Sequence, residues 1–254
     1  MGTTLALSLA LSGIIGVALG VFGGGGSILA VPVLVYVTQV TPAAAIAMSL
    51  AIVGATSLMA SYAHHRRGLV HGRVALLFGG SGVVTAFLGA RLTHLVSGRV
   101  LMFTFAALMM LVGLWMLFGQ RRSLPNDGDA GGPRPQLSYA LLAGAAVGAI
   151  TGFLGVGGGF LVVPALIAFT GLDMRGAVGT SLLIIAINSG AGFLGHLSRD
   201  RLDFQLVISL TLAAIFGALA GECLGRRVPV HKLRGGFALF VLLVGIGVAV
   251  KSAT

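Results

Sequence analysis

The sequence predicts an all-α, polytopic membrane protein made of two repeats of about five membrane segments, roughly eight to ten in total, inverted relative to one another and carrying broken or re-entrant glycine-rich helices. Three observations lead there. Hydrophobic residues make up 57% of the 254 and charged residues 9%, with a mean hydropathy of +1.05, which leaves too little polar surface to cover a water-soluble globule. No Asp, Glu, Lys or Arg precedes Arg66, and apolar runs long enough to cross about 30 Å of hydrocarbon as helix recur to the C-terminus. The third observation is that the chain is written twice.

Sliding the sequence by 132 residues sets GVALGVFGGGGSILAVPVL (Gly16 to Leu34) on GAITGFLGVGGGFLVVPAL (Gly148 to Leu166), with 9 of 19 positions identical and no gap. The same offset pairs Ser49 with Ser181, Ser57 with Ser189, His64 with His196, Arg67 with Arg199, Phe105 with Phe237 and Gly113 with Gly245. Such self-similarity marks a duplicated structural unit.

In chain order, the first half parses into apolar stretches at 3–22, a short one at 26–38, then 43–63, 74–96 and 100–118. The second half repeats them at 137–154, 158–170, 176–197, 205–225 and 234–250. Residues 3–22 have no basic n-region and no small-residue cleavage site, and they have an internal twin, so they read as part of the fold and not as a signal peptide. Between the halves lies GQRRSLPNDGDAGGPRPQ, whose Pro, Gly and charge make a solvated linker. The division is therefore a repeat-1 bundle over 1–120, a linker over 121–135 and a repeat-2 bundle over 136–254.

The net charge of +10 comes from sixteen Lys and Arg, clustered in short loops between apolar segments, as on a cytoplasmic face and not as in a nucleic-acid-binding surface. If the first two stretches of each half enter and leave the membrane, eleven of the sixteen gather on one side, among them Arg66, Arg67, Arg73, Arg121 and Arg122. If they make a single crossing, the split is nine to seven. The stronger bias favours inverted repeats with both termini on the outer face. The single cysteine, Cys223, allows no intrachain disulfide.

Four consecutive glycines in so apolar a segment need a reason. A glycine costs a helix about 1 kcal/mol relative to alanine, and a run of them lets the backbone leave the helix. In hydrocarbon that strands amide groups unless protein or a water-filled cavity surrounds them. Gly23, Gly24, Gly25 and Gly26 with Ser27, and Gly155, Gly157, Gly158 and Gly159, thus mark two inward-facing breaks. The segments that follow, Ser27 to Tyr36 and Gly159 to Phe169, are short, and each carries a structural proline, Pro32 or Pro164. Paired interruptions of this kind point to a transporter's binding site, where a helix starting in mid-membrane offers N–H groups and a positive dipole end to an anion. Gly16, Gly20 and Gly24, with the twins Gly148 and Gly152, also read as small-xxx-small helix contacts at GxxxG spacing. A phosphate-binding loop is disfavoured, since no Lys-Ser/Thr follows the glycines.

The paired FGxGGxxxxVPxL-type motifs, each opening a half and followed by AxxxSL and then His and Arg before a basic loop, resemble the sulfite exporter TauE/SafE family of membrane permeases. The resemblance spans both halves. It implies a plasma-membrane transporter in a family associated with sulfur-containing anions such as sulfite and sulfonates, without fixing the substrate. The first motif reads Gly24-Gly25-Gly26-Ser27 where its twin reads Val156-Gly157-Gly158-Gly159, an asymmetry between the halves.

Polar side chains deep in apolar segments are candidate ligands. Ser49 and Thr56 are seven apart, as are their twins Ser181 and Asn188, so each pair shares a helix face. Asn188 is the foremost, since its amide donates two hydrogen bonds and each hydroxyl donates one; the alternative for the hydroxyls is a bond back to their own helix. His64 and His196 end the third stretch of each half, where both an interfacial position and a proton-linked role are open. HHRRGLVHGR is not read as a metal site, because adjacent histidines point apart and the arginines oppose a cation. Glu222 stands alone as a carboxylate inside an apolar segment, and Arg226 four residues on is its expected partner. So few acidic residues suit an anion better than a cation.

The expected partners are a small anionic substrate and the lipid bilayer, with no nucleic acid, no cofactor and no metal, and a homo-oligomer is left open. The expected mode is alternating access at a midplane site. No Ser/His/Asp set, zinc spacing or nucleotide fingerprint points to an enzyme. An anion channel and an intramembrane scaffold whose glycines serve only packing are the competing readings.

Overall fold

A computed structural model describes residues 2–118, 137–154, 159–196, 203–225 and 230–253. The linker lies outside them. The described residues form ten α-helices and no strand: α1 (Gly2–Phe22), α2 (Ala30–Tyr36), α3 (Pro42–His65), α4 (Gly72–Leu92), α5 (Gly98–Phe118), α6 (Leu137–Leu154), α7 (Gly159–Thr170), α8 (Met174–His196), α9 (Phe204–Gly225) and α10 (Val230–Ala253). A 3₁₀ segment, Gly23–Leu29, joins α1 to α2, and a second, Thr93–Leu95, follows α4.

Each boundary has a local cause. Pro42 opens α3, where its missing N–H is one the helix would leave unpaired. Asp173 caps α8 by accepting from the Gly176 and Arg175 amides at 3.2 and 3.3 Å, and Asp203 caps α9 through the Leu206 amide at 3.0 Å. At the end of α3, Gly68 takes φ +72 and reverses the chain while the Leu69 amide returns to the His64 carbonyl.

Five helices, α3, α4, α5, α8 and α9, are long and apolar enough to cross a membrane; α1, α2, α6, α7 and α10 contain shorter apolar stretches. The outer surface agrees. Leu76, Val84, Leu88, Leu111, Phe118, Leu212, Phe216 and Leu243 all stand more than half exposed, an apolar girdle that hydrocarbon can solvate and water cannot.

The two sequence repeats interlock. Helix α1 packs along α9 of the other repeat, with Gly16 on Ala214 and Gly20 on Ala218, so the two run parallel. Shifting by 132 gives the second contact: α6 lies along α4, with Gly148 on Gly82 and Gly152 on Ala86. Gly89 on Ala149 and Gly221 on Val17 repeat the correspondence. In each case a Cβ would strike the facing backbone, so these glycines set the close approach of the helices, as the sequence predicted for Gly16, Gly20, Gly148 and Gly152. Two hydroxyls bridge the α4–α6 seam: Thr85 Oγ1 donates to the Ala145 carbonyl at 2.7 Å and Thr93 Oγ1 to that of Phe153 at 2.8 Å.

Helices that are each other's repeats also meet, and they run antiparallel. Gly54 of α3 faces Ser189 of α8 while Gly192 faces Leu50; Gly113 of α5 faces Leu242 of α10 while Gly245 faces Met109 and Met110. The core follows the same exchange. Phe105 and its twin Phe237 are both fully buried in one cluster, where Phe22, at the end of α1, meets Phe237 edge-on with ring centroids 6.0 Å apart.

Candidate functional site

The first glycine cluster breaks its helix. α1 ends at Phe22, Gly23 takes φ +67, a conformation other residues resist, and the chain continues as the 3₁₀ turn before α2 begins at Ala30. Ser27 Oγ donates to the Gly24 carbonyl at 2.6 Å, a side-chain bond within the 3₁₀ turn. Pro32 lies in the first turn of α2, where an absent N–H is tolerated. In the second repeat α6 ends at Leu154 and α7 starts at Gly159, with Pro164 inside α7. Gly155, Gly157 and Gly158 lie outside the described residues.

The structure brings the first break against the start of α7. Gly24 and Gly159 touch backbone to backbone, so closely that a Cβ on either would collide with the other's Cα and carbonyl. Gly23 lies against Val178 and Ser181 of α8: a Cβ there would stand 2.9 Å from Ser181 Oγ. Gly26 packs back onto Ile15 and Leu19 of α1. Gly25 is within the 3₁₀ turn.

The predicted polar residues divide into two kinds. Ser49 and Ser181 are fully buried, and each donates its hydroxyl hydrogen to its own helix, to Ile46 and Val178 respectively, both at 2.8 Å. Thr56 Oγ1 and both polar atoms of Asn188 are buried without a hydrogen-bond partner, and so are the hydroxyls of Ser57 and Ser189. The duplication makes these four two pairs of twins, Thr56 with Asn188 and Ser57 with Ser189. Thr56 and Ser57 lie on α3, Asn188 and Ser189 on α8, and Ser189 meets Gly54 of α3 where the two helices pack. Gly82 of α4 makes room for the Asn188 amide, since a Cβ there would come within 2.6 Å of Nδ2. Asn188 therefore faces the α4–α6 seam, two turns along α8 from the Ser181 contact with the first break.

A groove of about 380 Å³ also lies on the α3–α8 pair, lined by Leu50, Gly54, Leu58, Ile187, Gly190 and Phe193 among others. Its walls are apolar, and none of Ser49, Thr56, Ser181 and Asn188 lines it. Among the described residues no cluster of three or more His, Cys, Asp or Glu could hold a metal ion.

The two histidines and the interior carboxylate are buried. His64 donates Nδ1–H toward the Ala60 carbonyl at 3.0 Å, and His196 is fully enclosed. Glu222, 5% exposed, forms an ion pair with Arg67, just past the end of α3, and its Oε1 lies 4.0 Å from His64 Nδ1. The expected partner four residues on, Arg226, lies outside the described residues; the pairing with Arg67 joins residues 155 positions apart, which helix periodicity does not reveal. Sequence reasoning also passed over Ser189 and Gly82, although the offset that pairs Ser57 with Ser189 was the available signal for the first.

Ten helices with an apolar outer girdle, a break in the first repeat and a buried polar seam at the crossing of the two repeats define a multi-pass membrane protein. Residues 8–248 match the model of the family described as sulfite exporter TauE/SafE, and the chain belongs to that family of membrane transporters. It is similar to a "Probable membrane transporter protein" of Xylella fastidiosa strain 9a5c, 36% identical over 98% of this chain and 96% of that one. It is also similar to the "Probable membrane transporter protein YdhB" of Bacillus subtilis, 25% identical over 92% and 95%, and to MJ0441 of Methanocaldococcus jannaschii, of the same description, 20% identical over 91% and 92%. No solved structure matches the chain.

Proposed function

We propose that the chain carries small anions, sulfur oxyanions or organosulfonates such as sulfite, by alternating access at a site near the membrane midplane between the two glycine-rich breaks. The observation that carries this reading is the set of buried, unpartnered donors on the repeat-related helices α3 and α8, with Asn188 and its twin Thr56 foremost. An unpaired buried polar group costs about 1–3 kcal/mol, so a chain that keeps several together keeps them for something that binds. Amide and hydroxyl hydrogens suit oxyanion acceptors. The family's printed name, sulfite exporter, supports the same class of cargo.

The antiparallel course of α3 against α8 and of α5 against α10 supports inverted repeats. The packing also suggests which bodies move. Helices α1, α2, α3 and α9 form one group and α4, α6, α7 and α8 the other, meeting at the α3–α8 crossing and at Gly24 and Gly159. Each group borrows one helix from the other repeat. Sliding of these groups, not of the sequence halves, would expose the seam alternately to each side. The distribution of arginines supports an orientation with both termini outside, and the family resemblance supports the plasma membrane.

Reconstitution into liposomes with labelled sulfite tests the proposal. Saturable, trans-stimulated uptake is the expected result. Flux that rises linearly without saturation would make the protein a channel, and absence of flux for sulfite and a panel of sulfonates would leave the seam a packing device.

A further inference from the structure

Arg67, Gly68, Leu69 and His71 belong to the short link between α3 and α4, which rests on both helix groups at once. On one side Arg67 is bound to Glu222 of α9. On the other, the His71 amide donates to Thr180 Oγ1 of α8 at 3.0 Å, the Leu69 carbonyl presses on Gly179, and the His71 ring lies against Gly176. Residues 176–180 immediately precede Ser181, and with Val178 that residue forms the wall on which the first break, at Gly23, sits. The link thus spans from α9 to the stretch of α8 beside the break, on the arginine-rich face of the molecule, and Arg67 is its bolt.

The Ala60 carbonyl can only accept, so His64 Nδ1 carries hydrogen and Nε2 is the basic nitrogen of the neutral ring. Glu222 ionised beside neutral His64 gives the pair a net charge of −1, which holds the Arg67 guanidinium. One proton added to either member makes the pair neutral and leaves the guanidinium without net opposite charge, at 30% exposure and able to turn to water. The other titratable and charged groups around the link are His71 and Asp173, both against Gly176 at the start of α8, Arg175 beside Asp173, and the exposed His65, Arg66 and Arg73; α1, which packs on Glu222 through Gly20, contributes none, and on α9 the neighbour is the exposed Cys223. Arg226 and Arg227 lie outside the described residues. At the twin of Glu222 stands Ala90, so the opposite face has no equivalent acid.

We propose that Glu222 and His64 form a proton-binding site that couples protons to transport: the deprotonated pair holds Arg67 and keeps the 66–71 link closed over α8, and proton uptake from the aqueous face releases it. The coupling to transport rests on the function proposed above, whereas the latch itself does not.

Hydrogen exchange of the 66–71 amides in nanodiscs, without any anion, reads the latch directly. After correction for the intrinsic rate, the native chain should exchange about tenfold faster at about pH 5.5 than at about pH 7.5. Glu222→Gln and Arg67→Gln should be fast at both. Equal native rates at the two values, or a pH response in Glu222→Gln like that of the native chain, would overturn the proposal. In liposomes, sulfite uptake by the native chain should respond to an imposed pH gradient and that of Glu222→Gln should not; native uptake indifferent to the gradient would overturn the coupling. A pH-dependent latch in a protein that moves no anion would refute the transport reading and leave the latch standing.

Discussion

Replacing Asn188 by leucine should make the protein more stable and less active. Asn188 is fully buried, and neither its Nδ2 nor its Oδ1 has a partner. Leaving such a group dry and unpaired costs about 1–3 kcal/mol, and leucine keeps the branched shape while removing both polar atoms. Against this gain stands the tight approach of Gly82, where a Cβ would already lie 2.6 Å from Nδ2; the extra bulk of two methyl groups costs about 1 kcal/mol of overpacking. The balance is a gain of about 1 kcal/mol, roughly fivefold in the unfolding equilibrium. Thermal unfolding in detergent reads the first effect, and uptake of labelled sulfite into liposomes reads the second, which should fall to background. Earlier unfolding of Asn188→Leu than of the native chain would mean that the amide has a partner in the membrane, and native uptake would mean that it does not touch cargo. Either result refutes the reasoning.

Other substitutions probe separate parts of the structure. Gly24→Ala should insert normally and lose uptake, because its methyl forces the first break away from Gly159 at the start of α7; overpacking of about 1–3 kcal/mol should appear as a lower unfolding temperature. Thr85→Val removes the 2.7 Å bond to Ala145 across the α4–α6 seam and should lower stability by about 0.5–1.5 kcal/mol with little change in uptake at saturating sulfite. Phe105→Ala empties the cluster it shares with Phe237 and should cost about 3–5 kcal/mol, measured by denaturant unfolding. Gly152→Leu drives a side chain into the Ala86 backbone and should prevent α6 from seating on α4, visible as protease sensitivity of the inserted chain.

Much of the fold could be read directly from residues. The offset of 132 located every helix of the second repeat from its twin in the first, and the glycine run with Pro32 placed the break at Gly23. The pairing of helices was not readable, because an offset identifies equivalent segments and says nothing about neighbours; Gly16 and Gly20 announced a close contact without naming α9 as the partner. Ser49, Ser181, Thr56 and Asn188 read alike as polar residues in apolar helices, yet the two serines bond to their own helices while Thr56 and Asn188 do not. That distinction depends on rotamer and on Gly82 across the seam, neither of which leaves a local trace. Glu222 offered a nearby arginine at the favoured helical spacing, and the fold supplied Arg67 from a distant turn.

The exchange of helices between repeats constrains how the protein is made. A nascent chain that has delivered only its first half to the translocon holds α1 and α4 with their small-residue faces uncovered, since α9 and α6 have yet to be translated. Neither half can therefore mature alone. Two fragments divided between Phe118 and Leu137 and synthesised in the same cell should each be degraded in the other's absence and survive together.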